Sequence, residues 1–229
     1  MATVTGYRYK DIAAGAKSKY MYRPNGGAVS YLWVQDHGVL QASSPTVYSR
    51  PEPMSFPEAP GVQSLTPRIE YKDSLGYFTN LFDFDSRLIV TQKKAGEFFV
   101  ETGGELKDKN WLSGGVGYKM DYLFTDQYLE KTIQLTWHDA WPVVNIIEPF
   151  VQVKGMTIVQ TDPRTVIMKT GKKTFRFRIL SGNAQLTTGE DAVHYWAPYP
   201  ALKAFPLRLE LRPVAGSFQQ TVKYRVEVL

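Results

Sequence analysis

Apolar and charged residues alternate at the C-terminal end of the chain, with Val222, Tyr224, Val226 and Val228 interleaved by Lys223, Arg225 and Glu227. Side chains two apart on a strand share a face, so this pattern predicts a strand with one apolar and one charged side. Leu207, Leu209 and Leu211 against Arg208, Glu210 and Arg212 repeat it, as do Phe175, Phe177 and Ile179 against Arg176 and Arg178. Further strands are predicted over 68–72, 77–84, 87–92, 97–102, 116–125, 129–137, 156–161, 165–169, 184–187 and 193–197, each bounded by turn residues. Residues 143–153 are almost wholly apolar, the signature of a central strand covered on both faces. Residues 28–35 and 39–43 flank Asp36-His37-Gly38 and read as a hairpin. No segment carries a helical stripe. The fold class that follows is all-β: a large antiparallel two-sheet sandwich of roughly fourteen to sixteen strands, with little or no helix.

One stretch breaks the rhythm. Six prolines, at 45, 51, 53, 57, 60 and 67, fall between Ser44 and Pro67 and remove ladder N–H donors. Val47, Tyr48, Met54, Phe56, Val62 and Leu65 give this stretch apolar anchors, which predicts an ordered flap over 44–67 rather than a linker. Its two readings are a wall for a ligand groove and a passive cover for a sheet edge.

A chain of 229 residues with 43% hydrophobic residues can bury a large core, and residues 1–229 read as one β domain. The pattern stops inside a strand at Leu229, so a piece of a larger multidomain protein is expected; a complete small protein is the competing reading. The N-terminus has neither a basic nor an apolar leader region, so no signal peptide is expected in this chain. No apolar run approaches the ~20 residues of a membrane span, and no membrane partner is expected. The absence of cysteine removes disulfides and thiolate chemistry.

Net charge is +5 and unevenly placed. Residues 171–229 hold nine Lys/Arg and four Asp/Glu, while the first 170 hold eighteen of each. The excess therefore sits on the polar faces of the last strands, where it suits an acidic polymer or a plain solvated sheet face.

Absent motifs narrow the chemistry. No P-loop, dinucleotide fingerprint, nucleophile elbow or HExxH is present, so no cofactor, metal or nucleic-acid partner is expected. Three histidines exist: His37 at the hairpin tip, His138 after Trp137, and His194 before Tyr195-Trp196. His138 has a carboxylate neighbour in Asp139 and is bracketed by Trp137 and Trp141. A histidine at a strand end is a natural general base, although a lone one is more often a surface residue. Tyr195, Trp196 and Tyr199 form a second aromatic cluster. Flat aromatic faces pack on the C–H faces of sugars, so Trp137, Trp141, Trp196 and Tyr199 are candidate saccharide platforms as well as candidate core lids. Asp83 and Asp85 share one strand face and read as a turn cap or a carboxylate pair.

The segment Tyr22-Arg23-Pro24-Asn25-Gly26-Gly27-Ala28-Val29-Ser30-Tyr31-Leu32-Trp33, continuing through His37 and Pro45 to Arg50-Pro51-Glu52-Pro53, resembles the β-sandwich portion of heparinase II/III-like polysaccharide lyases. The resemblance covers about a quarter of the chain. It implies a helical toroid domain elsewhere in the same polypeptide, a polysaccharide substrate, an extracellular or periplasmic parent, and at most half an active site here. His37 is the nearest candidate for the sandwich histidine of that family.

Three functional readings follow. The first is an accessory or carbohydrate-binding β-sandwich domain, not catalytic alone, whose partner is a polysaccharide or oligosaccharide of acidic type. The second is a sandwich-type lyase or sugar epimerase in which His138 is the base, Tyr195 or Tyr199 the acid, and Arg176 or Arg178 neutralises a uronate. The third is a purely structural module, which predicts that Trp137, Trp141 and Trp196 are buried.

Overall fold

Period-two alternation specifies strands, but which strands meet is decided by packing. The computed structural model describes residues 2–4, 26–43, 63–64, 66–83, 86–108, 110–138, 142–189, 193–196, 202–214 and 217–229. Its first strands are β1 (Ala2–Val4), β2 (Val29–Val34), β3 (Gly38–Ala42), β4 (Gln63–Ser64), β5 (Arg68–Lys72), β6 (Tyr77–Thr79), β7 (Arg87–Lys94), β8 (Glu97–Lys107) and β9 (Ser113–Phe124). Then come β10 (Tyr128–Trp137), β11 (Val144–Val151), β12 (Thr157–Asp162), β13 (Thr165–Lys169), β14 (Thr174–Ser181), β15 (Gln185–Thr188), β16 (Val193–Trp196), β17 (Leu202–Leu211) and β18 (Gln219–Val228). A single 3₁₀ turn, Asn80–Phe82, is the helical element among the described residues. The all-β class read from the sequence holds, and eighteen strands are described against the fourteen to sixteen expected.

The first three strands form a small sheet in the order β1-β2-β3. The other fifteen form one sheet, ordered β12-β13-β14-β18-β10-β9-β8-β6-β5-β11-β17-β16-β4, with β7 on β8 and β15 on β17. All pairs are antiparallel except the short β16–β4 contact. The large sheet turns back on itself at β6, which joins β8 through the single register pair Thr79↔Lys107. Beyond that corner β11 returns to face β10, β14 and β18. Phe150 of β11 meets Phe177 of β14 edge to face at 6.3 Å, although many strands separate them along the sheet. The two layers of the sandwich thus come from one continuous sheet folded over its own apolar face.

Burial follows the alternation. Val116, Tyr118, Met120, Tyr122 and Phe124 point inward from β9, and Leu129, Ile133, Leu135 and Trp137 from β10. Each such side chain contributes roughly 1.5–3 kcal/mol by leaving water. β11 is buried at nearly every position, as its apolar run predicts, because β5 and β17 flank it within the sheet and the other layer covers it. Pro149 of β11 stands opposite Pro206 of β17. Neither can donate to the ladder, and facing each other neither asks the other to.

The corner departs from the sequence reading. A strand over 77–84 is expected, yet β6 ends at Thr79 and the chain enters the 3₁₀ turn. The Thr79 hydroxyl caps that turn by accepting from the Leu81 N–H at 3.3 Å. The buried Asn80 amide accepts from the Ile69 N–H at 2.8 Å and donates to the Gly26 carbonyl at 3.2 Å. Asp83 is therefore not one of a pair on a strand face. It is buried, accepts from the Tyr118 hydroxyl at 2.9 Å and the Glu105 N–H at 3.2 Å, and meets the Lys107 ammonium at 3.0 Å. Burial, followed by the Asp83 charge, raises the Tyr118 phenol well above its usual value, so it stays a donor. Asp85, and residues 44–62 and 65 of the proline-rich stretch, lie outside the described residues.

A second buried polar group holds the layers together. Lys131 occupies an inward position of β10, between Leu129 and Ile133, where the alternation calls for an apolar residue. Its ammonium reaches both oxygens of Glu148 on β11, at 2.7 and 2.9 Å. Glu148 also accepts from the Tyr224 hydroxyl at 2.6 Å and from the Gln41 amide at 2.7 Å. One carboxylate therefore ties β3, β10 and β18 to β11, and every member of the group is buried.

Candidate functional site

A groove lies at one end of the sandwich, between strand ends and the β2–β3 hairpin among the described residues. Its volume is about 990 Å³. Trp33, Gln35, Phe98, Asp126, Gln127, Tyr128, Lys173 and Glu227 are among its lining residues, above a floor that includes Leu40, Val100, Phe124 and Phe175. Trp33 stays 36% exposed and Phe98 45% exposed, so both rings present apolar surface to the groove.

The local sequence explains the geometry. In the hairpin Asp36 takes a positive φ of 64° and Gly38 one of 98°, and the His37 N–H donates to the Val34 carbonyl at 3.1 Å. The β2–β3 register slips between Leu32 and Trp33, a bulge that re-aims the side chains around it. On the opposite rim Thr125 closes the β9–β10 turn, its backbone N–H donating to the Tyr128 carbonyl at 3.0 Å and its hydroxyl accepting from the Tyr128 N–H at 3.0 Å. The tight turn leaves Asp126 and Gln127 exposed at the mouth. Tyr128 is braced from outside by the Arg225 guanidinium, 4.0 Å from its ring centre. Glu227 is held by Arg176 at 2.7 Å.

His37 sits beside this groove. Its ring meets the floor residue Phe175 edge to face, with centroids 4.7 Å apart, and its Nε2 is buried without a hydrogen-bond partner. Burial pushes the imidazole below its ordinary value of 6.5, so it is neutral near pH 7. The unfolded chain takes up this proton near pH 6.5 while the folded chain resists it. The stability this adds is complete above that pH and is lost as pH falls below it toward the folded-state value. Denaturant midpoints at about pH 7.5 and about pH 5.5 are expected to differ less in His37→Phe than in the parent chain. An equal pH dependence in both proteins rules His37 out as the source.

The histidine bracketed by indoles lies elsewhere. His138 follows the far end of β10, whose 10 residues put it roughly 30 Å from the Tyr128 end. It is exposed, and its backbone N–H donates to the Gly115 carbonyl at 2.9 Å. Trp137 is only 2% exposed, with its indole N–H donating to the Pro142 carbonyl at 3.3 Å. It is a core residue, because it ends the inward series of β10 that begins at Leu129, and it offers no face to a sugar. Tyr195 and Trp196 belong to β16, which pairs with β17 and β4; their side chains, and all of Trp141 and Tyr199, lie outside the described residues. Arg176 and Arg178 stand on the outer face of β14, Arg176 against Glu227 at the groove rim and Arg178 exposed. Among the described residues no three histidine or carboxylate side chains converge as a metal site would require.

Sequence reasoning passed over Trp33, Phe98 and Tyr128. Trp33 and Phe98 fall inside predicted strands, where an aromatic residue reads as core, and Tyr128 falls just before the strand predicted over 129–137; the register slip in β2 and the tight β9–β10 turn bring them to the groove.

Comparison with known proteins places this geometry in a family. The family model described as the ulvan lyase C-terminal domain matches residues 1–225. No curated protein matches the chain. Among solved structures, the one titled "Crystal Structure Analysis of HI1317" shares the fold at a TM-score of 0.52 and 10% identity, over 90% of this chain and 86% of that one. A mutant of the heparan sulfate lyase HepC from Pedobacter heparinus is similar at a TM-score of 0.49 and 11% identity, over 62% of this chain and 21% of that one. The heparinase III product of BT4657 is similar at 0.48 and 10%, over 64% and 22%. The chain thus spans about a fifth of the length of those two structures. The relation to polysaccharide lyases read from residues 22–53 is met by a family match over nearly the whole chain.

Proposed function

This chain belongs to the ulvan lyase C-terminal domain family, and on that premise we propose that it is a carbohydrate-binding β domain whose groove holds a segment of the polysaccharide acted on by its parent lyase. The observation that carries this reading is the pair of exposed rings, Trp33 and Phe98, lining one groove with Asp126, Gln127, Lys173 and Glu227. Aromatic faces cover the apolar C–H side of a sugar ring, and carboxylate, amide and ammonium groups around them serve its hydroxyls. The volume of about 990 Å³ suits several sugar units rather than one small molecule.

Binding without catalysis fits the placement of the titratable groups. His37 has the right neutral state for a base, but its Nε2 is buried and cannot reach a substrate unless the hairpin moves. His138 stands at the other end of the sandwich from the groove. The parent enzyme's activity, under this reading, draws on groups outside the described residues.

Affinity electrophoresis through gels cast with ulvan tests the proposal. Trp33→Ala and Phe98→Ala are each expected to weaken retention roughly tenfold, the worth of a lost aromatic contact of about 1.4 kcal/mol. Equal retention of the parent chain and both variants, with folding intact by circular dichroism, removes the groove as the binding site.

A further inference from the structure

We propose a second polysaccharide contact outside the groove: the outer face of β13, β14 and β18, which takes the anionic groups of a chain leaving the groove over Tyr128 and Glu227. This rests on reading the groove as a saccharide site, and it adds both a location and a charge requirement to that reading.

The register puts the cations together. Arg178 of β14 lies directly opposite Arg225 of β18, and Arg176 opposite Glu227. Lys223 follows Arg225 on the same face of β18, and Lys169 lies on the outward side of β13, which pairs with β14. Five cations (Lys169, Arg176, Arg178, Lys223 and Arg225) thus share this face with three carboxylates, Glu130, Glu227 and Asp162 at the adjoining β12–β13 turn. Glu130 already receives both Lys223 at 2.6 Å and Arg225 at 2.7 Å. Burial pushes its carboxyl up, but the hydrogen bonds and charges of those two cations outweigh this and hold it below its ordinary range.

Arg178 and Arg225 stand directly across the strand pair, where like charges repel, and Arg225 turns to the Glu130 carboxylate and the Tyr128 ring. Arg178 is exposed, and its charge is felt by Asp162 at the neighbouring turn, after the Arg164 N–H and the Thr165 hydroxyl. An anionic group seated beside Arg178 gains a forked guanidinium partner on a face where the neighbouring cations already stand.

The face is also continuous with the groove. Arg225 stacks on Tyr128, and Arg176 holds Glu227, and both of those residues line the groove. A polymer resting on Trp33 and Phe98 passes over this rim, where Arg176 pairs with the Glu227 carboxylate, onto the basic face. Four of the nine cations in residues 171–229 (Arg176, Arg178, Lys223 and Arg225) meet here because β14 lies beside β18, and β13 adds Lys169 from beside β14.

Dextran sulfate and dextran, a charged and a neutral polymer on one backbone, separate the two contacts. At low salt the Lys169→Glu/Arg178→Glu double variant is expected to bind dextran sulfate roughly tenfold more weakly and with a shallower salt dependence, while ulvan binding keeps its sensitivity to Trp33→Ala. Lys72→Glu/Arg208→Glu, which makes the same charge change on β5 and β17 of the other layer, is expected to leave dextran sulfate binding as it is. Equal loss in both double variants shows a net-charge effect and overturns the proposal. So does binding of a single-stranded oligonucleotide as tight as that of dextran sulfate, which marks a general polyanion surface. Loss from the Trp33 variant alone keeps the groove and discards the basic face; loss from the Arg178 variant alone keeps the face and discards the groove.

Discussion

Lys131→Met is expected to destabilise the protein by about 3–5 kcal/mol, the cost of leaving a buried carboxylate without its counter-charge. In a chain of this length that lowers Tm by roughly 10 °C. The reason lies in what Glu148 does. Its two oxygens receive the Lys131 ammonium, the Tyr224 hydroxyl and the Gln41 amide, and none of these groups touches water. Removing the ammonium strips the only cation from that set while two neutral donors remain. Lys131→Met/Glu148→Leu is expected to recover part of the loss, because no uncompensated charge is left, although Tyr224 and Gln41 then lack an acceptor. Differential scanning calorimetry of the three proteins decides the matter. A single-variant loss under about 1 kcal/mol contradicts a charged, fully desolvated pair.

Gly104→Ala carries the second large effect. A Cβ at this position falls 1.8 Å from Asp83 Oδ2 and 3.2 Å from the Tyr118 hydroxyl oxygen. The carboxylate cannot step aside cheaply, because Tyr118, the Glu105 N–H and Lys107 hold it on three sides. Overpacking of this kind costs about 1–3 kcal/mol, and breaking the Asp83 contacts raises it further. Asp83→Ala alone is expected to cost about 3 kcal/mol, through a buried Tyr118 hydroxyl that loses its carboxylate acceptor and a Lys107 ammonium that loses this ion pair. The double variant is the informative one. With the carboxylate gone the methyl group has room, so Asp83→Ala/Gly104→Ala is expected to be no less stable than Asp83→Ala. Urea denaturation of the four proteins measures the coupling, and additive losses contradict a direct clash between the two positions.

Both predictions concern features the sequence pattern hides. Asp83 reads as a surface carboxylate on a strand because Phe82 and Phe84 flank it at period two. The chain leaves the strand at Thr79, and the 3₁₀ turn carries Asp83 inward to meet residues 22 to 35 positions away. Lys131 reads as an interruption of an apolar face, since its partner Glu148 lies on the opposite layer. Local spacing cannot announce a contact that exists only once the sheet has folded over.

The sequence by itself determined the strand content, and it did so at most positions within a residue or two. The strand over 68–72 and that over 165–169 have the bounds the alternation predicts, and the buried run near 143–153 is the central β11. It also determined the hairpin at Asp36-His37-Gly38 and the basic character of the last strands. These are local properties: a period of two, a glycine or aspartate able to take positive φ, a count of charges. Tertiary structure decided everything that depends on which strands meet. It buried Trp137, moved His138 to the far end from the groove, and set Arg178 against Arg225. It also left Trp33 and Phe98 exposed in the groove. The physical reason is that a strand's pattern says which of its faces is apolar but not what covers that face. Here, among the described residues, the cover comes from the same sheet turned over at β6.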